Sequence, residues 1–71
     1  MAKQITATMA GVVVELMVDL NAQVSSGQEV VMLESMKMQL PISSQYGGVV
    51  KQILVKIGDF VNEGDALIVL E

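Results

Sequence analysis

A lysine between two methionines, Met36-Lys37-Met38, preceded by Glu34 and Ser35, is the one stretch of this 71-residue chain whose residue types point to chemistry. A lysine amine is a nucleophile that forms an amide with an activated carboxylic acid. At pH 7 nearly every lysine is ammonium, so selective acylation needs an enzyme that brings the activated acid and takes the proton. Such a lysine belongs on a recognition element. Flexible, polarizable methionines suit a surface read by other proteins. Taken singly, an exposed lysine is ordinarily a solvated charge, and a methionine beside an apolar run is ordinarily core filler. Position is what sets this lysine apart.

Sliding the sequence by 37 positions lays residues 1–34 on 38–71 without a gap. Beyond the initiator it matches Ile5/Ile42, Gly11/Gly48, Val12/Val49, Val13/Val50, Val18/Val55, Val24/Val61, Gly27/Gly64, Leu33/Leu70 and Glu34/Glu71. Other pairs are conservative, such as Leu16/Ile53, Leu20/Ile57, Val30/Leu67 and Val31/Ile68. Only Ser35, Met36 and Lys37 have no counterpart. A symmetric chain whose single unpaired element carries this lysine reads as a scaffold built to present it.

The elements that must position the lysine are strands. From Val12 to Val24 every second residue is apolar (Val12, Val14, Leu16, Val18, Leu20, Ala22, Val24), with Glu15, Asp19, Asn21 and Gln23 on the other parity. That period of two predicts half-buried strands, and Val49, Ile53, Val55, Ile57 and Val61 repeat it. Leu20-Asn21 and Ile57-Gly58 are expected to bend the chain, since Asn and Gly tolerate positive φ. Val24-Ser25-Ser26-Gly27 and Val61-Asn62-Glu63-Gly64 read as matching turns before the apolar runs Val30 to Leu33 and Ala66 to Leu70. A helix over Gly11 to Leu20 is disfavoured by the alternation and the β-branched valines. A solenoid needs about three or more repeats to bury a continuous face, so two copies must close on each other. The predicted fold is all-β, a single domain over 1–71. It is a flattened barrel-sandwich hybrid of two antiparallel sheets related by a pseudo-twofold axis. Symmetry then puts Lys37 at an exposed hairpin tip. Met-Lys is a poor match to the Asn-Gly or Asp-Gly dipeptides of two-residue hairpins, and local rules tend to be broken where a site demands it.

Composition excludes several functions. A net charge of −4 with four lysines and no arginine leaves nothing to neutralise a row of phosphates or to hold a membrane surface. Without cysteine or histidine there is no thiol catalysis, disulfide or thiolate metal site, and no usual general base. No apolar run approaches the roughly 20 residues of a spanning helix, and Met-Ala-Lys-Gln lacks the apolar core of a secretory signal, so a cytoplasmic protein is expected.

Glu34-Ser35-Met36-Lys37-Met38, preceded by Val30-Val31-Met32-Leu33 and followed by Ile42 and Gly48-Val49-Val50, resembles the biotinyl domains of biotin-dependent carboxylases and decarboxylases. The similarity covers the whole chain and is strongest to the small free-standing biotin/lipoyl attachment proteins. It implies that Lys37 is biotinylated by a biotin protein ligase. It implies too that the domain, itself without catalysis, carries a carboxyl group between a biotin carboxylase and a carboxyltransferase, and a monomer is expected of so mobile a carrier. Met36 and Met38 would be read by those enzymes, with Ser35 and Glu34 completing the recognition hairpin, although Glu71 shows that Glu34 also arises from the repeat. Asn21 stands where the family commonly has Gly, Gln45 where it frequently has Pro, and no protruding thumb is inserted. The main rival is a lipoyl carrier, whose family typically has Asp-Lys-Ala at the hairpin. Another is an unmodified barrel-sandwich interaction module. An acyl carrier protein fits size and acidity but not the period-two pattern.

Overall fold

In the computed structural model, which describes residues 3–71, the chain forms strands and no helix among those residues. The strands are β1 (Lys3–Thr6), β2 (Gly11–Leu16), β3 (Gln23–Val24), β4 (Glu29–Ser35), β5 (Met38–Ser43), β6 (Gly48–Ile53), β7 (Phe60–Val61) and β8 (Ala66–Leu70). The valine-rich runs of β2, β4, β6 and β8 favour the pleated backbone, where branched side chains pack well. The predicted bends and turns fall where their chemistry puts them. Asn21 and Gly58 adopt φ of 69° and 98°, and Gly27 and Gly64 both adopt 89°.

Two four-stranded antiparallel sheets result, ordered β1-β8-β6-β3 and β5-β4-β2-β7. Exchanging each strand for its partner in the other repeat turns one order into the other, so the predicted pseudo-twofold relation holds strand by strand. Met1 and Ala2, the first two positions of the repeat, lie outside the described residues. The main-chain hydrogen bonds between the halves come in the same twinned pairs. The Asn21 N–H donates to the Val50 carbonyl at 2.8 Å, and the Gly58 N–H donates to that of Val13 at 2.7 Å. Ala7 and Ser44 likewise donate to the Asp65 and Gln28 carbonyls while accepting from Gly64 and Gly27.

One reading of the sequence is corrected. The even parity assigned from Val12 through Val24 does not hold across β2, where Val13 is fully buried and Val12 and Val14 are half-exposed. A register shift between Val13 and Glu15 in the β2–β4 pairing inserts an extra residue and transfers the inward face from odd to even numbers, so that Val18 and Val24 are buried. The second copy has the same irregularity between Val50 and Gln52, burying Val50 and exposing Val49. Leu20 and Ile57, also assigned inward, are exposed because they occupy the turns at Asn21 and Gly58. The core is aliphatic and twofold in composition: Ile5 with Ile42, Val13 with Val50, Val30 with Leu67, Val31 with Ile68 and Leu33 with Leu70. Those pairs reach nearly complete burial in each half.

Candidate functional site

The hairpin between β4 and β5 projects from one end of a body measuring 34 × 19 × 19 Å. Its last strand pair is Ser35 with Met38, leaving Met36 and Lys37 as a two-residue loop. Both take positive φ, 53° and 67°, the signature of the type I′ turn whose twist matches that of its flanking strands. Neither is glycine or asparagine, and a side chain in that conformation costs roughly 1–2 kcal/mol per residue. Lys37 therefore stands at the tip, as expected, on a turn that its residues do not favour and that the paired strands impose.

The tip is open. Met36 is 92% exposed and Met38 60%, while Ser35 is half-buried and Glu34 exposed. Among the described residues Lys37 makes no ion pair or side-chain hydrogen bond. Lys37 is itself exposed, which leaves room for an acyl group on Nζ and for an enzyme around it.

The strands below the tip are anchored in the core. Leu33 is fully buried and pairs with Val13 on β2 and Leu40 on β5. Beneath Glu34 lies Gly11, where a Cβ would sit 2.8 Å from the Glu34 carbonyl oxygen. Gly48 stands in the same relation to the Glu71 carbonyl, also at 2.8 Å. Gly11 was not among the expected site residues; its signal was in the sequence, as a glycine matched in both copies directly before a valine run.

Side chains break the symmetry that the main chain keeps. Glu71 is paired with Lys51 at 2.9 Å, and the hydrogen bond and charge of that lysine hold the Glu71 carboxyl below its ordinary range. Glu34, the twin of Glu71, has Val14 where Lys51 would stand, and no ion pair among the described residues. Directly opposed residues share a face of a sheet, so Gln39, Glu34, Val12 and Phe60 form one row across β5, β4, β2 and β7 on the outer surface. Phe60 in that row is 64% exposed and was not among the expected site residues, although the alternation that turns Val61 inward turns its neighbour outward.

Comparison with known proteins bears on what such a hairpin does. The family model described as "Biotin-requiring enzyme" matches residues 1–70. The "Biotin/lipoyl attachment protein" of Bacillus subtilis is 50% identical over 62 residues, covering 87% of this chain and 85% of its own. The "Biotinylated protein TB7.3 homolog" of Mycobacterium leprae is 34% identical over 70 residues, covering 99% of each. Among solved structures, the urea carboxylase of Kluyveromyces lactis superposes with a TM-score of 0.91 at 27% identity, over 99% of this chain and 6% of that one.

Proposed function

This chain belongs to the biotin/lipoyl attachment family of biotin-requiring enzymes, and from that premise we propose that it is a biotin carboxyl carrier modified at Lys37. The observation that carries the proposal is the placement of Lys37. It tops a two-residue turn with both residues at positive φ, between two exposed methionines, at the only break in the repeat.

The Lys37 Nζ, once deprotonated, attacks the activated carboxyl of biotin. The new N–C amide bond replaces the acyl–oxygen bond to the activating group, which departs with the electron pair while solvent takes the proton. A biotin protein ligase provides the activated acid and, before the attack, takes the first proton from the Lys37 ammonium. Biotin attached there would accept a carboxyl group at a ring nitrogen from a biotin carboxylase and yield it at a carboxyltransferase. The chain's own part is mechanical. Buried Leu33 and the close approach of Gly11 fix the hairpin stem, and the exposed tip lets the tether sweep between two sites at high effective concentration. Met36 and Met38 give the partners an adaptable apolar contact on either side of the amide.

Lipoate is the second reading, supported by a relative whose name covers both groups. Met-Lys-Met favours biotin. Intact-mass spectrometry after coexpression with a biotin protein ligase, with peptide mapping, separates the two. A single biotinyl increment on Lys37, absent in Lys37→Arg, is the expected result. A lipoyl increment would move the carrier to other acyl chemistry, and an unmodified chain beside a labelled control carrier would overturn the proposal.

A further inference from the structure

We propose that the groove beside Phe60 is a second contact for the enzyme that acylates Lys37, an inference that rests on the carrier reading above. An open groove of about 430 Å³ is lined by Leu54, Asp59, Phe60, Asp65 and Ala66 over the buried Val55 and Val61. Phe60 is 64% exposed and Leu54 41%, an aromatic and an aliphatic group left in water by a chain that has only two aromatic residues. Solvated phenylalanine on a small acidic domain is the kind of group that anchors an interface.

The repeat supplies an internal control for this surface. The twins of Leu54, Asp59, Phe60 and Asp65 are Met17, Ala22, Gln23 and Gln28. Both halves have the same strand topology and matched core residues, so the fold does not require an aromatic ring here. Asp59 and Asp65 each accept a turn N–H, from Lys56 and Asn62, and Gln28 accepts that of Ser25 in the other half, which needs no charge to do so. Those differences gather in the half of the groove, and Phe60 in particular lies at the lysine end of the molecule. Phe60 pairs with Val12 and Val12 with Glu34, so two strand spacings, about 10 Å, separate the ring's strand from the hairpin.

Proximity selects the occupant. An enzyme that forms a bond at Nζ must bring its active site onto the hairpin itself. A typical footprint of about 800 Å² per partner is a disc of roughly 16 Å radius, which takes in the Phe60 row. Enzymes that act on the end of a long tether need engage no more of the carrier than Met36 and Met38 at the tip. The groove also states its partner's chemistry. Asp65 is exposed and Asp59 half-exposed in the lining of the groove, so the ligase is to offer an apolar contact flanked by lysine or arginine.

The test is steady-state biotinylation of the whole chain by purified biotin protein ligase with ATP and biotin, with the carrier concentration varied. Phe60→Gln installs the residue of the twin position and should lower kcat/KM about tenfold through KM, with kcat retained at saturation. Asp65→Asn keeps the acceptor for the Asn62 N–H and removes the charge; it should lower kcat/KM less and flatten its dependence on salt. Leu20→Gln, at a residue 57% exposed near the opposite end, should change nothing. Wild-type kinetics for Phe60→Gln with an unchanged melting transition would overturn the inference while leaving Lys37 as the carrier site. Equal losses from Leu20→Gln and Phe60→Gln would also overturn it, as a general effect on folding. Failure of the wild-type chain to be labelled would overturn the carrier reading and this contact with it.

Discussion

Gly11 lies so close beneath Glu34 that a Cβ added to it would meet the Glu34 carbonyl oxygen at 2.8 Å, and the repeat places Gly48 under Glu71 at the same distance. The obstacle is backbone, so β2 or β4 would have to move. Gly11→Ala and Gly48→Ala should each cost about 1–3 kcal/mol, the range of overpacking in a well-filled core. For a domain of this size each kcal/mol lowers Tm by roughly 4–8 °C. The two variants should part company in function. Displacing Glu34 tilts the hairpin stem three residues before Lys37, whereas displacing Glu71 disturbs the far end. Gly11→Ala should therefore slow biotinylation at a temperature where both variants are folded, and Gly48→Ala should not. Equal rates would show that the stem tolerates the shift.

The corrected parity of β2 and β6 gives a sharper test of the core. Val13 and Val50 are fully buried, while their neighbours Val12 and Val49 face outward. Valine and threonine have nearly the same shape, so the exchange isolates the hydroxyl. Val13→Thr and Val50→Thr should each cost about 1–3 kcal/mol for a buried hydroxyl without a partner. Val12→Thr and Val49→Thr should stay within about 0.5 kcal/mol. Urea unfolding of the four variants measures the contrast, and the reverse order would restore the even-numbered face.

Why that face was misread says how much of the fold the residues reveal. Period two identified strands, and the twinned Val-Ser-Ser-Gly and Val-Asn-Glu-Gly segments marked turns, because both signals are local. The repeat then fixed the pairing of halves, which no local signal carries. A bulge leaves no such mark: the choice of Val13 over Val12 depends on the extra residue before Glu15, which exists only once β2 lies against β4. The site divides along the same line. Met36 and Lys37 stood out, with Ser35, as the unmatched residues of the repeat, and the structure places Met36 and Lys37 in the turn with Met38 on its flank. Glu34 was legible only as their flank, since Glu71 matches it. The outward turn of Phe60 follows from the alternation that buries Val61, but its place in one row with Val12 and Glu34 exists only once β7 lies against β2.

Lys51 and Glu71 form the one ion pair among the described residues, and both side chains are more than half exposed. The bond to Lys51 holds the Glu71 carboxyl below its ordinary range. A carboxyl whose folded pKa is depressed stabilises the fold above its unfolded pKa, and that contribution fades as pH falls through the folded value. Lys51→Met should let the Glu71 pKa rise toward the ordinary value, followed by NMR titration of its side chain. The stability difference between wild type and Lys51→Met should be small at neutral pH, shrink in molar salt and vanish in acid. A difference that persists below the folded pKa would mean that the aliphatic stem of Lys51, and not its charge, does the stabilising.

The turn at Met36 and Lys37 sets stability against recognition. Positive φ of 53° at Met36 is a conformation that asparagine accepts far more readily than methionine, and Asn is a preferred residue of the type I′ turn. Met36→Asn should therefore raise stability by about 0.5–1 kcal/mol, read as a higher urea midpoint with an unchanged slope. The same exchange removes a thioether that is 92% exposed and packs against nothing that the fold requires. If that side chain is kept for the ligase and the carboxylase to read, the more stable variant should be the poorer substrate, with kcat/KM for biotinylation lowered and Lys37 still the labelled residue. A variant both more stable and labelled at the wild-type rate would leave Met36 without a role on either side of the balance, and would shift the burden of recognition to Met38 and the strands behind it.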